Sequence, residues 1–400
     1  MLVLAGCKPG LETPRVVVLV MDGVRVEESL AEGSQTAENR STAEVLPRIR
    51  GELYPQAALV TGGLTTAATL TSQGHVALVT GRGLPYTNHF TEHEDTYRPE
   101  LPTLFELLRD THDLPKRSAA FLANAWHIAP LSHSLYPGLG ADVGARYELL
   151  ARGSRLRSDQ DTVDAVQTQL RRGAQLVVAN LHDADRLAHT GDLDAYMGAA
   201  ESLDDTIMDL WEWIEDDRIL SRTTTLVLVA DHGRHRTGYA NDWIGHDDAC
   251  MGCREIPMLL AGHNICTNTT IEATATLQDL SATIAALLGV PHPYTDGIPI
   301  SDALLIGTVT RTGSIARAAS ASQALTDDPN QRSQIVVEGA VLSDGMLAEA
   351  PVMAAGGDRE ALCWRELDAP SPGIDTLPWR AECRARTAGG AWEAGLSHLK

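Results

Sequence analysis

Positive charge is scarce in this chain. Lysine and arginine number 32 against 53 aspartates and glutamates, a formal charge of −21 over 400 residues. Such a balance repels polyanions and excludes sequence-independent nucleic-acid binding as a default function. Lysine occurs only as Lys8, Lys116 and Lys400, a bias that reads as base composition and carries no functional weight. No apolar run approaches the ~20 residues that a membrane-spanning helix needs, so no transmembrane span is expected. Cysteine is sparse too: Cys7, Cys250, Cys253, Cys266, Cys363 and Cys383 are too few and too scattered for a disulfide scaffold. Cys363 and Cys383 are the pair favoured for a bridge. Cys250-Met-Gly-Cys253 has the spacing of a zinc half-site, but no second pair sits at suitable spacing. A short-loop disulfide or two free thiols is therefore the favoured reading.

What is present is alternation. Arg15 to Met21 (RVVVLVM) is an unbroken β-branched run ending in Asp22-Gly23, the pattern of a buried parallel strand. Ser118 to Ala123, Ala174 to Leu181, Thr223 to Ala230 and Ile256 to Ala261 repeat it, separated by helix-like stretches near 102–110, 160–172, 194–217 and 276–289. Strands alternating with helices predict an α/β fold, a mostly parallel sheet sandwiched by helices. From about residue 305 the texture turns to Gly, Ala, Ser and Thr, with Gln334 to Leu342 as one candidate strand. The expected organisation is a leader and linker over 1–14, a catalytic domain over 15–304 and a small C-terminal appendage over 305–400. Leu4-Ala5-Gly6-Cys7 looks like a bacterial lipobox without its full apolar stretch; the start lies downstream of the true one or the match is chance. An extracytoplasmic chain, periplasmic or lipid-anchored through Cys7, is the expectation.

In parallel sheets, ligands bind beyond the carboxyl ends of the strands. Those ends yield hard ligands in order: Asp22 after the first strand, Asp185 and His189 after Leu181, Asp231 and His232 after Ala230, and His246 in the loop before Ile256. Three carboxylates and three imidazoles suit zinc or manganese rather than calcium. Asp185 and His189, four apart, share a face if their segment is helical. Each residue alone reads more simply as a turn former or helix cap; their coincidence at strand ends points to a site. Thr69-Leu-Thr-Ser-Gln-Gly-His75 runs into an apolar helical pattern, which puts Thr71 or Ser72 near a helix amino terminus. An anion is favoured there, although a threonine in that place is more often an N-cap.

With these motifs the chain resembles the alkaline phosphatase superfamily over roughly residues 15 to 300, in particular its phosphodiesterase, nucleotide pyrophosphatase and cofactor-independent phosphoglycerate mutase branches. Thr71, His75 and Thr80-Gly81-Arg82 fall in the register of the nucleophile segment. Asn180-Leu-His-Asp-Ala-Asp185-Arg-Leu-Ala-His189 is similar to the Asp-x-x-Gly-His element, with Ala188 in place of Gly, and Asp231-His232-Gly233 to the Asp-His-Gly element. The resemblance implies an alkaline-phosphatase-like fold and two divalent ions, zinc or manganese. One would be held by Asp185, His189 and His246, the other by Asp22, Asp231, His232 and the Thr71 oxygen. Two dications against three carboxylates leave about one net positive charge to meet a phosphoryl group, and such pairs clamp attacking and leaving oxygens.

The function implied is hydrolysis of a small-molecule phosphomonoester or phosphodiester through phosphothreonine at Thr71. A sulfatase is disfavoured because Thr71-Ser-Gln-Gly-His75 lacks a Cys/Ser-x-Pro-x-Arg context. A mutase is disfavoured because the stretch from Thr71 to Asp185 has little room for a cap domain. Phosphoryl or phosphoethanolamine transfer to another acceptor uses the same site and stays open, as does, more remotely, a metal-binding protein without turnover. Arg25, Arg82, Arg186 and Arg254 are candidates for a cation facing a monoester dianion, each more simply a surface or structural arginine.

Overall fold

The computed structural model describes residues 13–30, 41–83, 98–149 and 157–305, together with strand segments between 320 and 387. The lipobox at Cys7 lies outside the described residues. The strands of the main sheet are β1 (Arg15–Met21), β2 (Ala57–Leu64), β3 (Ala119–Ala123), β4 (Arg146–Leu149), β5 (Leu176–Leu181), β6 (Thr224–Val229), β7 (Met258–Gly262) and β8 (Thr269–Thr276). They are ordered β4-β3-β5-β1-β6-β7-β2-β8. Strand β7 runs antiparallel to both β6 and β2, and the other pairings are parallel. The helices are α1 (Thr42–Val45), α2 (Thr71–Thr80), α3 (Leu104–Thr111), α4 (Asp159–Arg171), α5 (Asp183–Ala188), α6 (Leu193–Asp216), α7 (Leu220–Thr223), α8 (Met251–Arg254) and α9 (Leu277–Leu287). The mostly parallel α/β sandwich expected from the alternation is the fold observed.

Strand β1 lies at the centre because its side chains are apolar on both faces. Val16, Val18 and Val20 pack with α2, α3 and α9, whereas Val17, Leu19 and Met21 pack with α4 and α6. Burying each of these side chains contributes roughly 1.5–3 kcal/mol. Helices α3, α4 and α9 start at reciprocal capping boxes, Thr103 with Glu106, Ser158 with Asp161 and Thr276 with Asp279. The caps fix where each helix begins relative to the sheet.

Strands β2, β4 and β8 were not among the expected ones. The sequence of β2, AALVTGGL, breaks its apolar run with two glycines that read as a turn. They are glycines because neighbours crowd them: a Cβ on Gly63 would lie 2.3 Å from the Ile256 carbonyl oxygen, and one on Gly62 3.1 Å from that of Ala273. Beyond residue 305 the described strands form two antiparallel three-stranded sheets, β9 (Ser320–Ser322), β10 (Gln334–Val337) and β11 (Ala340–Val341), and β12 (Leu347–Gly356), β13 (Arg359–Leu367) and β14 (Trp379–Thr387). The stretch expected as one strand from Gln334 thus carries two short ones, β10 and β11, paired antiparallel. The β13–β14 register sets Cys363 across from Cys383. Among the described residues no helix is long and apolar enough to cross a membrane.

Candidate metal centre and nucleophile

Asp22 and Asp231 each have one oxygen tied to the protein and another turned inward, whereas Asp185 uses one oxygen for both. Asp22 is fully buried; its Oδ2 accepts from Asn180 Nδ2 and from His182 Nδ1, both at 2.8 Å. Its Oδ1 faces Thr71 Oγ1 at 3.4 Å and His232 Nε2 at 3.6 Å. Asp231 Oδ1 accepts the backbone amides of Gly23 at 3.2 Å and His232 at 3.0 Å. Its Oδ2 is buried and makes no hydrogen bond, although His75 Nδ1 and His232 Nε2 lie 3.4 and 3.7 Å away. Asp185 Oδ1 accepts from Arg234 and faces His189 Nε2 at 3.5 Å and His246 Nε2 at 3.7 Å.

The imidazoles obey the same rule. A carbonyl oxygen can only accept, so the ring nitrogen that touches it carries the proton. His232 Nδ1 donates to the Gly233 carbonyl at 2.9 Å and His246 Nδ1 to the Thr69 carbonyl at 2.7 Å. Each Nε2 is thereby left as a lone pair aimed at carboxylates, and the His246 and His189 Nε2 atoms stand 3.0 Å apart. This is how a backbone partner orients a histidine that binds a cation. Lone pairs facing carboxylates, beside the orphaned Asp231 Oδ2, call for positive charge between them. The residues therefore fit divalent ions, with Asp22, Asp231 and His232 as one cluster and Asp185, His232 and His246 as another that shares His232.

Thr71 opens α2, and its N-cap is Leu70, without a side-chain capping bond. The Thr71 hydroxyl is therefore no helix cap. It faces Asp22 Oδ1 and His232 Nε2, both at 3.4 Å. His75, one turn on, donates from Nδ1 to the Thr71 carbonyl at 2.7 Å and is held by burial against the end of β6. Gly74 permits this approach: a Cβ there would lie 2.4 Å from the Asp231 carbonyl oxygen. Gly23, at φ +61°, is needed in the same way, since a Cβ would lie 2.7 Å from Asp185 Oδ1.

Two residues at the site were not singled out in the sequence. His182 bonds Asp22; burial pushes its imidazole down, but Asp22, Asp185 and Asp231 raise it to about 9. Burial and the Asp185 charge push the Asp22 carboxyl up, yet His182 and His232 hold it below the usual carboxylate range. Register could have found His182: β1 pairs with β5 at Met21 and Leu181, so the next positions, Asp22 and His182, emerge side by side. Arg234, wholly buried, donates to Asp185 and to the carbonyls of Gly23, Trp243 and Ile244. Burial, His232 and Arg234 drive the His246 imidazole down to about 3, so it is neutral and able to ligate. Of the candidate arginines, Arg25 is in a buried ion pair with Glu28, Arg82 pairs with Asp296 and Arg186 with Asp183. Each of those three is thus paired with a carboxylate of its own neighbourhood.

Residues 136–292 match a family model described as the metalloenzyme superfamily. Over 139 residues the chain is 33% identical to a phosphopentomutase of Symbiobacterium thermophilum, covering 34% of this chain and 32% of that one. Over 118 residues it is 29% identical to a 2,3-bisphosphoglycerate-independent phosphoglycerate mutase of Desulforudis audaxviator, covering 30% of this chain and 21% of that one. The matches thus span a third or less of those relatives. Among solved structures, an alkaline phosphatase superfamily protein from Vibrio parahaemolyticus superposes with a TM-score of 0.57 at 11% identity, covering 97% of this chain and 83% of that one. The murine ectonucleotide pyrophosphatase/phosphodiesterase 5, an inactive variant in complex with AMP, gives 0.53 at 14% identity, covering 73% of this chain and 100% of that one. At these identities the superpositions speak for the fold. With the sheet order they give the fold, an alkaline-phosphatase-like α/β sandwich, within which residues 136–292 match the metalloenzyme superfamily.

Proposed function

We propose that the chain hydrolyses phosphate esters, mono- or diesters, by passing the phosphoryl group to Thr71 and then to water. The observation that supports this best is the position of the Thr71 hydroxyl, 3.4 Å from both Asp22 Oδ1 and His232 Nε2 at the start of a helix. Asp22, Asp231, His232 and Thr71 would hold one divalent ion, zinc or manganese, and Asp185, His189 and His246 a second. When bound, the ions would lower the pKa of the Thr71 hydroxyl and offset charge on the phosphoryl and leaving oxygens.

The chain's own residues supply the rest. Helix α2 presents the free amides of its first turn to an anion, and its dipole adds to their pull. Asn180 and His182 fix Asp22, and the Gly23 and His232 amides fix Asp231, so neither carboxylate must reorganise as charge develops. In the first step a bond forms between Thr71 Oγ1 and phosphorus, the bond to the leaving oxygen breaks, and an alcohol departs. In the second, water displaces Thr71 from phosphorus, which restores the hydroxyl and releases phosphate or its monoester.

Assay with nitrophenyl phosphate and bis-nitrophenyl phosphate under zinc or manganese tests the reading. Turnover of at least one substrate is expected, with an acid-quenched chain heavier by one phosphoryl group on Thr71. No release from either, with Thr71→Ala indistinguishable from wild type, contradicts it. Competing alcohols in the assay show whether water is the acceptor. A lipid on Cys7 and an extracytoplasmic location belong to the same proposal and rest on Leu4-Ala5-Gly6-Cys7 alone. Labelling of the full-length product with palmitate, lost in Cys7→Ser, checks them.

A further inference from the structure

Outside the centre described above, four side chains of three kinds converge on one point: His235, Asp248, Cys250 and Cys253, with one ligand atom of each within 4.8 Å of all the others. Cys250 and Cys253 are not joined in a disulfide; their sulfurs stand 2.9 Å apart. The sequence offers no second cysteine pair for the Cys-x-x-Cys element. The fold supplies the missing ligands from a histidine and an aspartate on the same loop.

His235 gives the independent sign that a cation belongs here. Its ring is buried, and Nδ1 lies 2.5 Å from Asn241 Oδ1. With Asn241 Oδ1 facing it as acceptor, Nδ1 of the neutral ring holds the proton and Nε2 is a lone pair. That Nε2 makes no hydrogen bond; it faces Asp248 Oδ1, 3.1 Å away, acceptor against acceptor. Cys253 Sγ lies 3.5 Å from the same oxygen. The Cys253 amide points at Cys250 Sγ at 3.3 Å, and the Cys250 amide donates to Asp248 Oδ1 at 3.0 Å. A tetrahedron built with ordinary Zn–S, Zn–N and Zn–O bonds has edges of roughly 3.3–3.8 Å. The nitrogen–oxygen and sulfur–oxygen separations are close to that, and the sulfur pair need open by less than an ångström.

We infer that His235, Asp248, Cys250 and Cys253 form a structural zinc site, separate from the phosphoester centre. Closed four-coordinate zinc with two thiolates, one imidazole and one carboxylate is the class it fits, and binding releases the two thiol protons to solvent. The site's place gives it a purpose. His235 follows Asp231 and His232 on the segment leaving β6, and Asp248 follows His246 at the far end of the same loop. Zinc there ties the two ends together, beside the bonds from the His235 amide to the Gly245 carbonyl at 2.9 Å and from the Gly233 amide to the Cys253 carbonyl at 2.7 Å. His246 is thereby held against Asp185 and His232 whether or not the other centre is loaded.

The test uses the reduced full chain and cobalt(II), whose bonds to thiolate give a near-ultraviolet charge-transfer band that oxygen and nitrogen ligands do not. Wild type is expected to show the band and, after dialysis against zinc, one equivalent more metal than Cys250→Ser/Cys253→Ser, which loses the band. Asp185→Asn is expected to keep it, separating this site from the other centre. Asp248→Cys is expected to keep and strengthen it, which guards against misfolding of the double serine variant. Absence of the band in the reduced wild type, or equal zinc in wild type and the double variant, overturns the inference. So does a Cys250–Cys253 disulfide in the isolated chain that takes up no cobalt once reduced.

Discussion

Thr71 and Gly23 carry the account at the scale of single residues. Replacing Thr71 by alanine removes the hydroxyl without touching the carboxylates, so nitrophenyl phosphate turnover should fall by at least about 10³-fold, while Asp22, Asp231 and His232 should still take up metal, at lower affinity for want of the Thr71 oxygen. Thr71→Ser keeps an oxygen at the same position and should retain measurable turnover and a phosphorylated intermediate. Gly23 is a sharper structural probe. Its φ of +61° and the closeness of Asp185 Oδ1 penalise any side chain. Gly23→Ala should cost about 1–3 kcal/mol in denaturant unfolding and lower metal occupancy with it. Gly138, at φ +89° with nothing near its would-be Cβ, should pay only the backbone part and leave metal binding intact. Equal metal occupancy in the two variants would show that Gly23 does not position Asp185.

Among the elements, α4 and α5 meet at their amino termini, where Asp159 and Asp183 exchange backbone bonds: the Asp159 amide donates to Asp183 Oδ2 and the Asp183 amide to Asp159 Oδ1. Burial, then the Asp183 charge, pushes the Asp159 carboxyl up to about 7 from its usual 3.8. The folded chain thus holds this proton more tightly than the unfolded chain. Its contribution to stability is full below the unfolded value and is lost as pH rises through the folded one. Between these limits Asp159→Asn should gain on wild type as pH rises, by at most about 1.4 kcal/mol per pH unit. Denaturant midpoints of both proteins at mildly acidic and mildly alkaline pH check the sign, and parallel pH profiles would refute it. Elements also show how much could be read in advance. Central strands such as β1 were legible because burial on both faces demands an unbroken apolar run. Strand β2 was not, because its Gly62 and Gly63 answer to Ala273 and Ile256, far away in sequence. The inward-facing carboxylates and imidazoles were legible at strand ends, whereas their supports were hidden: His182 depends on the β1–β5 register, and Arg234 binds mainly carbonyls, which any sequence can offer.

Across the whole molecule, an acidic chain gathers three buried carboxylates, Asp22, Asp185 and Asp231, at one edge of its sheet. Cations that bind only the folded state stabilise it in proportion to the logarithm of their excess, by about 4 kcal/mol at a thousandfold over Kd. Chelation should therefore lower Tm by several degrees, and zinc should restore it; a Tm indifferent to chelator would mean that the carboxylates need no metal. The most direct measurement is anomalous diffraction from crystals grown with zinc and phosphate. Two peaks are predicted among Asp22, Thr71, Asp185, His189, Asp231, His232 and His246, with a phosphate oxygen against the first turn of α2. A single peak or none in that region, with Thr71 Oγ1 remote from metal and phosphate alike, would contradict the account.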